Sequence, residues 1–258
     1  MTYEFIQVQT AGRITTVTIN RPQVMNSINP QMHHELQAAF DAFGADESQF
    51  ICVLTGAGNR AFCAGSDLKA DWSGSKYPKN GYAGLIERFD LYKPIIAAVN
   101  GVCMGGGFEV ALACDIIIAS ETARFALPEP KVGAIALGGG VHRLVRQIGM
   151  KRAMGYLLTS QPFSAQDGYA LGLVNEVAAP DQLAATVDRW CEQILQCAPM
   201  SVRATKEAAM RGLDETSVEA AMKAQADYPA FRAWRSSEDL KEGSRAFAEK
   251  RPPNWQGR

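Results

Sequence analysis

One glycine-rich stretch, residues 94–120 with the sequence PIIAAVNGVCMGGGFEVALACDIIIAS, most constrains what this chain can fold into. Its apolar run Ile95–Val99 has the length of a buried strand, and an Asn-Gly pair ends it. Gly105–Gly107 then opens a helical segment that carries Glu109 in its first turn. Glycines leave the backbone bare, and a helix start has free N–H groups and a partial positive charge. The stretch therefore predicts a strand–turn–helix–strand unit with backbone donors beside a carboxylate, which suits a reaction in which an oxygen gains negative charge.

The residues before this stretch predict strands and two helices. Phe5–Gln9 and Ile14–Asn20 alternate around a glycine and predict a hairpin. Asn29-Pro30 is typical of a helix start, with Asn as the N-cap and Pro in the first position. The spacing of apolar residues further predicts a short buried strand at Ile51–Leu54 and a helix at Tyr82–Leu91.

The residues after it become purely helical. The predicted elements are a strand at Ile116–Ala119, a helix from Gly138–Gly140 to Ile148, a short helix capped by Ser164 or Asp167, a strand at Val174–Val177, and helices from about Pro180 onward with breaks at Pro199, Gly212 and Pro229. Strands that alternate with helices, followed by helices alone, predict an α/β fold with a helical C-terminal region.

Composition and charge exclude several classes of protein. The net charge of −1 provides no global basic field for nucleic acid. The first residues lack the charged and apolar regions of a signal peptide, and no run of about 18 apolar residues predicts a membrane span. The six cysteines form no CxxC pair, which favours reduced, packed thiols over a disulfide framework or a zinc site. These features predict a cytoplasmic protein with no membrane and no nucleic-acid partner.

Glu109 and Glu129 are the best candidates for acid–base chemistry. Glu109 lies in an otherwise apolar helix, and Glu129 lies between two prolines in FALPEP. Two carboxylates around one water can act in turn as base and acid. The alternative interpretation is that Glu109 stabilises a helix N-terminus and Glu129 is a solvated loop residue. The spacing in the sequence leaves both interpretations open.

Other catalytic and binding motifs are absent. Neither glycine triplet fits a phosphate-binding GxxxxGK[ST] or a dinucleotide-binding GxGxxG after a strand. No HExxH pattern is present, so no metal site is predicted. Of the three histidines, His33 and His34 lie on an amphipathic helix, where packing or exposure is the simpler interpretation. The acid–base candidates are therefore mainly carboxylates.

Several segments carry a family resemblance, and they follow one another in the family's order. They are FCAGSDLKA (62–70), residues 93–120, FALPEPKVG (125–133), GYALGLVNEV (168–177), the opening VTINRPQVMNSIN and the closing EGSRAFAEKR. Together they closely resemble the crotonase, or enoyl-CoA hydratase/isomerase, superfamily over essentially the whole chain. SDLKA, FALPE and the C-terminal tail look most like the carnitinyl-CoA dehydratases within it. The resemblance implies a crotonase fold, with repeated ββα units in a spiral core at 1–195 and a helical trimerisation region at 196–258.

The resemblance also implies an activity. Family members hold the thioester oxygen of an acyl-CoA with two backbone N–H groups while that oxygen becomes an enolate. By resemblance these donors are the N–H groups of Ser66 and Gly106, without the Ser66 side chain. Family hydratases carry both glutamates, here Glu109 and Glu129, whereas many relatives with other activities lack one. This implies the addition of water to an enoyl-CoA, or its removal, with Glu109 acting on the water and Glu129 exchanging a proton with Cα.

Contacts to coenzyme A are implied in the same way. Lys69 is expected near the adenine and phosphates, and Phe247 and Lys250 near the coenzyme A of a neighbouring subunit. Met25 and Asn26 border the path of the pantetheine in relatives. The alternative interpretation is that both lysines are ordinary surface charges. Coenzyme A is part of the substrate, so no separate cofactor is expected.

The acyl pocket is predicted with one departure from the family pattern. Candidates for its walls are Met104, Trp72, Tyr77, Leu85 and Leu137. The proline that hydratases commonly have one position before Leu137 is an alanine here, and relatives usually have a small or polar residue where Leu137 stands. An apolar residue there argues against a charged, carnitine-like acyl group and favours an apolar one.

Other activities remain possible on the same scaffold. They are a CoA-thioester isomerase that uses mainly one glutamate, a thioester hydrolase or decarboxylase, and a non-catalytic relative that binds RNA. The last would need an exposed lysine-rich helix, yet residues 31–44 contain no Lys or Arg. The resemblance further implies a homotrimer or a dimer of trimers, with C-terminal helices that pack across subunits.

Overall fold

A computed structural model describes residues 3–258, and its strands form two sheets. The strands are β1 (Ile6–Ala11), β2 (Ile14–Ile19), β3 (Ile51–Gly56), β4 (Ala61–Cys63), β5 (Ile95–Val99), β6 (Val102–Met104), β7 (Ile116–Ser120), β8 (Arg124–Ala126), β9 (Phe163–Ser164) and β10 (Glu176–Ala178). The first sheet has six strands in the order β1-β2-β3-β5-β7-β10, and the second has four in the order β4-β6-β8-β9. β1 and β2 form the predicted antiparallel hairpin, and the remaining neighbours in the first sheet are parallel.

Helical segments follow pairs of strands. The α-helices are α1 (Pro30–Ala45), α2 (Gly106–Ala113), α3 (Gly140–Ile148), α4 (Met150–Thr159), α5 (Ala165–Ala170), α6 (Leu183–Leu195), α7 (Pro199–Gly212), α8 (Val218–Ala224), α9 (Pro229–Arg235) and α10 (Glu238–Glu249), and the 3₁₀ turns are Pro22–Val24, Tyr82–Gly84, Glu129–Val132 and Gln225–Asp227. Each of the pairs β3/β4, β5/β6 and β7/β8 places one strand in each sheet before a helical segment. This is the repeated ββα arrangement that the resemblance implied.

Local sequence signals place most helix ends correctly. The Asn29 side chain accepts a hydrogen bond from the Met32 N–H, 2.9 Å, as predicted for an N-cap. Ser164, rather than Asp167, is the N-cap of α5, and Asp167 completes a capping box with it. The predicted breaks in the C-terminal helices at Pro199, Gly212 and Pro229 are confirmed.

Two element predictions are wrong. Tyr82–Leu91 is not a helix but a 3₁₀ turn followed by irregular chain, because Ala83 has a left-handed φ of 55° that an α-helix cannot contain. The last strand begins at Glu176 rather than at Val174, since the Val174 N–H bonds to the Gly168 carbonyl and closes the end of α5. The short strands of the second sheet were not predicted, because two or three residues are too few to show alternation.

The core fills the space between the sheets and their helices. Its largest cluster includes Phe40, Phe62, Phe108 and Phe125. Five of the six cysteines are buried free thiols, in agreement with the sequence, but Cys197 is exposed. Across residues 3–258 no helix has the length and apolarity needed to cross a membrane. Met1 and Thr2, which the predicted 1–195 unit includes, lie outside the described residues.

Candidate active site

Two stretches of bare backbone meet at the end of the second sheet. Gly65 has a φ of 95°, and a Cβ built on it would lie 3.0 Å from the Met104 carbonyl oxygen and 3.3 Å from the Gly106 nitrogen. Only a glycine allows this conformation and this approach without strain. The Gly65–Ser66 turn therefore lies directly against the start of α2, and the two predicted donor residues are neighbours in space.

Within residues 3–258, the N–H groups of Ser66 and Gly106 donate none of the hydrogen bonds that hold this turn and this helix start. The bridge between Ile28 and Ser66 uses the N–H groups of Ile28 and Asp67, so it leaves out the Ser66 N–H. Gly106 is the first residue of α2, where a helix has no internal acceptor for its N–H groups. Arg21 supports this turn through a 2.9 Å ion pair with Asp67. Two free donors thus lie side by side at a positively polarised helix end.

Glu109 is buried and held in place by backbone. Its side chain lies on α2 and is 4% exposed, and Oε1 accepts a hydrogen bond of 2.9 Å from the Gly140 N–H. Gly138 also lies directly against this carboxyl, since a Cβ built on Gly138 would lie 2.4 Å from Glu109 Oε2. The pKa of Glu109 is raised to about 7, mainly by burial and also by the nearby charge of Glu129, and the N–H groups of Gly140 and Gly138 oppose both effects. A carboxyl with this pKa can take up or release a proton near neutral pH.

Glu129 reaches the same space from the other side of the helix start. It begins the 3₁₀ turn after β8, and its Oε1 lies 3.3 Å from a Cβ built on Gly105. Its Oε2 is buried without a hydrogen-bond partner among the described residues. Burial raises the pKa of Glu129 as well. Glu129 is therefore not the solvated loop residue of the alternative interpretation, because one carboxyl oxygen is buried beside the glycines that precede Glu109.

The predicted acyl-pocket residues divide into three groups. Met104 lies at the end of β6 and is partly buried, with its carbonyl against Gly65. The indole of Trp72 donates to the Asp67 carbonyl and lies 6.5 Å from the ring of Tyr77, which is 57% exposed. Leu85 and Leu137 instead line a separate open cavity of about 780 Å³.

Leu137, on which the expectation of an apolar acyl group depends, lies in the wall of the open cavity. Its side chain is 84% exposed in the wall of that open cavity, together with Phe89 and Leu213. Gly138 lines the cavity and also lies beside the Glu109 carboxyl. Within one chain this leucine is exposed to solvent, so the expectation of an apolar acyl group stays a prediction.

Two residues of the site were missed or underestimated. Tyr82 is buried against Gly106, and its hydroxyl lies 3.2 Å from Ser66 Oγ. His33 is buried beside it, with ring centroids 4.5 Å apart, and Nδ1 accepts the Ala83 N–H. The sequence pattern predicts a helix that begins at Tyr82 and a packed or exposed position for His33. The glycines that flank YA in GYAG were the available sign of a turn.

The predicted coenzyme A contacts are scattered in this single chain. Lys69 is exposed beside the Ser66 turn, and Phe247 (89% exposed) and Lys250 lie at the end of α10. Met25 is partly buried, and its carbonyl accepts the Ala64 N–H. Asn26 requires a correction: its side chain is fully buried and bonds to the Arg21 N–H and to the carbonyls of Ala57 and Ala61. Its amide therefore organises the loop and is not available to coenzyme A.

Known proteins resemble this chain in both sequence and fold. The sequence profile described as enoyl-CoA hydratase/isomerase matches residues 9–258. The chain is 39% identical to a carnitinyl-CoA dehydratase of Proteus mirabilis, over 98% of both chains, and 37% identical to an (E)-benzylidenesuccinyl-CoA hydratase of Thauera aromatica, over 98% of this chain and 99% of the other. Among solved structures, an enoyl-CoA hydratase from Mycobacterium marinum superimposes with a TM-score of 0.91 at 39% identity, over 98% of this chain and 99% of that one. These similarities confirm the fold that the sequence predicted.

Proposed function

Because the chain belongs to the enoyl-CoA hydratase/isomerase family, we propose that it adds water to the double bond of an enoyl-CoA thioester, or removes it, with Glu109 and Glu129 as the acid–base pair. The observation that supports this best is the convergence of four groups: two free backbone N–H groups, a buried carboxyl held by Gly140, and a second carboxyl beside Gly105. The reaction needs each of these groups in one place.

The backbone donors act on the thioester. With the carbonyl oxygen at the N–H groups of Ser66 and Gly106, attack at Cβ moves the electrons of the double bond onto that oxygen. Fixed donors stabilise such a charge without reorganisation, and the loss of one donor typically lowers the rate by about 10²–10³. The donors belong to the main chain, so their contribution does not depend on the identity of the Ser66 side chain.

The two carboxyls act in sequence. Glu109 accepts a proton from the water whose oxygen bonds to Cβ, and Glu129 delivers a proton to Cα as the enolate collapses. Each step runs backwards in dehydration. Like charges in one buried site favour the state in which the pair shares a single proton. That state contains one base and one acid, which is the arrangement that either direction requires.

A direct assay tests this proposal. Crotonyl-CoA loses its conjugated thioester absorbance when it is hydrated, whereas an isomerase that moves the double bond into conjugation raises that absorbance. We expect the wild-type chain to bleach crotonyl-CoA, and Glu109→Gln and Glu129→Gln each to lower kcat by about 10²-fold or more, in line with the usual contribution of positioned acid–base groups. The control is Glu121→Gln, an exposed carboxyl outside the site. Near-normal turnover in either active-site variant contradicts the assignment.

The proposal also covers the assembly and the substrate contacts. We propose a homotrimer or a dimer of trimers in the cytoplasm, with 1–195 as the core and 196–258 as the region between subunits. Phe247 is exposed at the end of α10, and an open cavity lies beside Leu137. Both features support the presence of surfaces that a second subunit covers. In such an assembly Lys69, Met25, Phe247 and Lys250 contact coenzyme A. Light scattering after gel filtration tests the assembly, since a monomeric mass contradicts it.

A further inference from the structure

The side chain of Tyr82 lies against both residues that carry the proposed oxyanion donors. The Ser66 hydroxyl donates to Tyr82 Oη over 3.2 Å. A Cβ built on Gly106 would lie 2.3 Å from Tyr82 Cζ and 2.5 Å from Oη. The phenol end therefore occupies the space that a side chain at position 106 would fill. The phenol oxygen therefore lies beside both residues that carry the backbone donors, and it is a separate polar group.

The phenolic hydrogen of Tyr82 is available to a ligand. The Ser66 hydroxyl is the donor in their hydrogen bond, so that bond leaves the tyrosine hydrogen free. Tyr82 is 6% exposed, and burial raises its pKa well above the usual range, with Glu109 among the nearby acidic groups that raise it. The group is therefore a neutral O–H donor near neutral pH.

The position of Tyr82 is fixed by its surroundings. The next residue, Ala83, has a left-handed φ of 55°, which is unfavourable for a residue with a Cβ. Its N–H donates to His33 Nδ1 over 2.8 Å, and the buried His33 ring packs edge-on against Tyr82. Burial lowers the pKa of His33 to about 4, so the ring is neutral and keeps Nδ1 as an acceptor. The turn thus holds Tyr82 in a preorganised geometry.

We propose, on the basis of the function proposed above, that Tyr82 is a further catalytic residue whose hydroxyl donates a third hydrogen bond to the thioester oxygen, and that His33 is its positioning residue. The hydrogen bond strengthens as the oxygen gains charge, and the proton stays on Tyr82 throughout. The site then has two backbone donors and one side-chain donor for the same oxygen. Unlike the backbone donors, the third can be removed by a single substitution.

Steady-state kinetics with crotonyl-CoA test the role in catalysis. Tyr82→Phe removes only the hydroxyl. We expect kcat and kcat/KM to fall together by about 10- to 100-fold, less than the full loss of one backbone donor because two remain, while KM changes little. Tyr169→Phe, which removes an exposed hydroxyl on α5, is the matched control and keeps wild-type kinetics. An unchanged kcat, or a loss confined to KM, overturns the proposal.

Absorbance of a bound chromophore tests the same contact without turnover. The probe is cinnamoyl-CoA with a para-dialkylamino group, whose absorbance moves to the red when its thioester carbonyl is polarised. We expect a red shift in the wild type and a smaller one in Tyr82→Phe. 3-Fluorotyrosine incorporated at position 82 keeps the hydroxyl and makes it more acidic, so we expect a larger shift there. If Tyr82→Phe does not fold, the 3-fluorotyrosine protein alone tests whether Tyr82 donates to the thioester oxygen. Equal red shifts in all folded proteins overturn the proposal.

The two experiments separate this inference from the proposed function. A wild-type chain that shifts the probe through Tyr82 but does not bleach crotonyl-CoA supports the donor and contradicts the hydratase activity. A wild-type chain that bleaches crotonyl-CoA with no contribution from Tyr82 supports the activity and overturns the donor. No red shift in the wild type overturns the third hydrogen bond directly.

Discussion

At the scale of single residues, the buried carboxyl of Glu109 places function and stability in opposition. The side chain is 4% exposed and its pKa is about 7, against an ordinary value of 4.5. The folded chain therefore binds this proton more tightly than the unfolded chain does. Between pH 4.5 and 7 the contribution of this group to the free energy of unfolding falls as the pH rises, and the contribution is lost above pH 7.

Glu109→Gln is accordingly expected to raise stability at alkaline pH while it abolishes turnover. The amide keeps an oxygen for the Gly140 N–H but cannot ionise. We expect the variant to gain about 2–3 kcal/mol over the wild type between pH 4.5 and pH 8, from 1.36 kcal/mol for each pKa unit. Urea unfolding at the two pH values measures the gain. The control Glu121→Gln shows no such change, and a Glu109→Gln variant that is equally destabilised at both pH values contradicts the buried, raised carboxyl.

Gly138 provides a second test at the same scale. A Cβ at this position would lie 2.4 Å from Glu109 Oε2, whereas a Cβ at Gly155 on α4 meets no atom within 4 Å. We expect Gly138→Ala to displace the carboxyl, which lies at the end of a flexible side chain, and to lower kcat by about 10-fold or more, since small misplacements of a reacting group have large effects. Gly155→Ala keeps activity and adds up to about 1 kcal/mol of stability. Equal activity in both variants means that Glu109 has no defined position.

At the scale of elements, the turn at Tyr82–Gly84 shows where sequence patterns are insufficient. The hairpin, the Asn29-capped α1 and the glycine-started α2 follow from local residues, so they were predictable. The turn depends on the distant His33, whose Nδ1 accepts the Ala83 N–H, and on Arg88, which donates to the carbonyls of Gly84 and Gln37. No local pattern encodes these contacts. The apolar residues that follow Tyr82 therefore have helical spacing, although this part of the chain is a turn that hydrogen bonds hold against α1.

The bond between His33 and Ala83 is expected to be essential for this turn. His33→Leu leaves the Ala83 N–H without its acceptor and is expected to destabilise the fold by about 1–3 kcal/mol. Ala83→Gly removes the strain of the left-handed residue and is expected to stay within about 1 kcal/mol of the parent. Its matched control is Ala38→Gly inside α1, which is expected to lose about 1 kcal/mol. Urea unfolding measures all three, and an unchanged His33→Leu variant refutes the role of the bond.

At the scale of the whole molecule, the C-terminal tail returns to the core and closes the structure. The Asp239 carboxylate, 1% exposed at the start of α10, accepts the N–H groups of Gln256 and Gly257 at 2.8 Å and 3.1 Å. Trp255 donates to the Gln196 carbonyl over 2.9 Å. The resemblance places the last residues in the family, but the sequence did not predict this closure, because the partners of Asp239 lie in an irregular segment with no periodicity.

A double-mutant cycle tests whether this closure is one cooperative unit. Asp239→Asn replaces an acceptor oxygen with an N–H₂ group opposite the tail N–H groups, and we expect a loss of about 2–3 kcal/mol at fixed protein concentration. Removal of residues 251–258 takes away the donors and strands a buried carboxylate, so it is expected to cost a similar amount. Asp239→Asn in the shortened chain is then expected to cost less, because the charge it neutralises has already lost the N–H groups of the tail. Asp188→Asn, an exposed change on α6, is the control. Fully additive losses would mean that the tail and Asp239 stabilise the molecule independently.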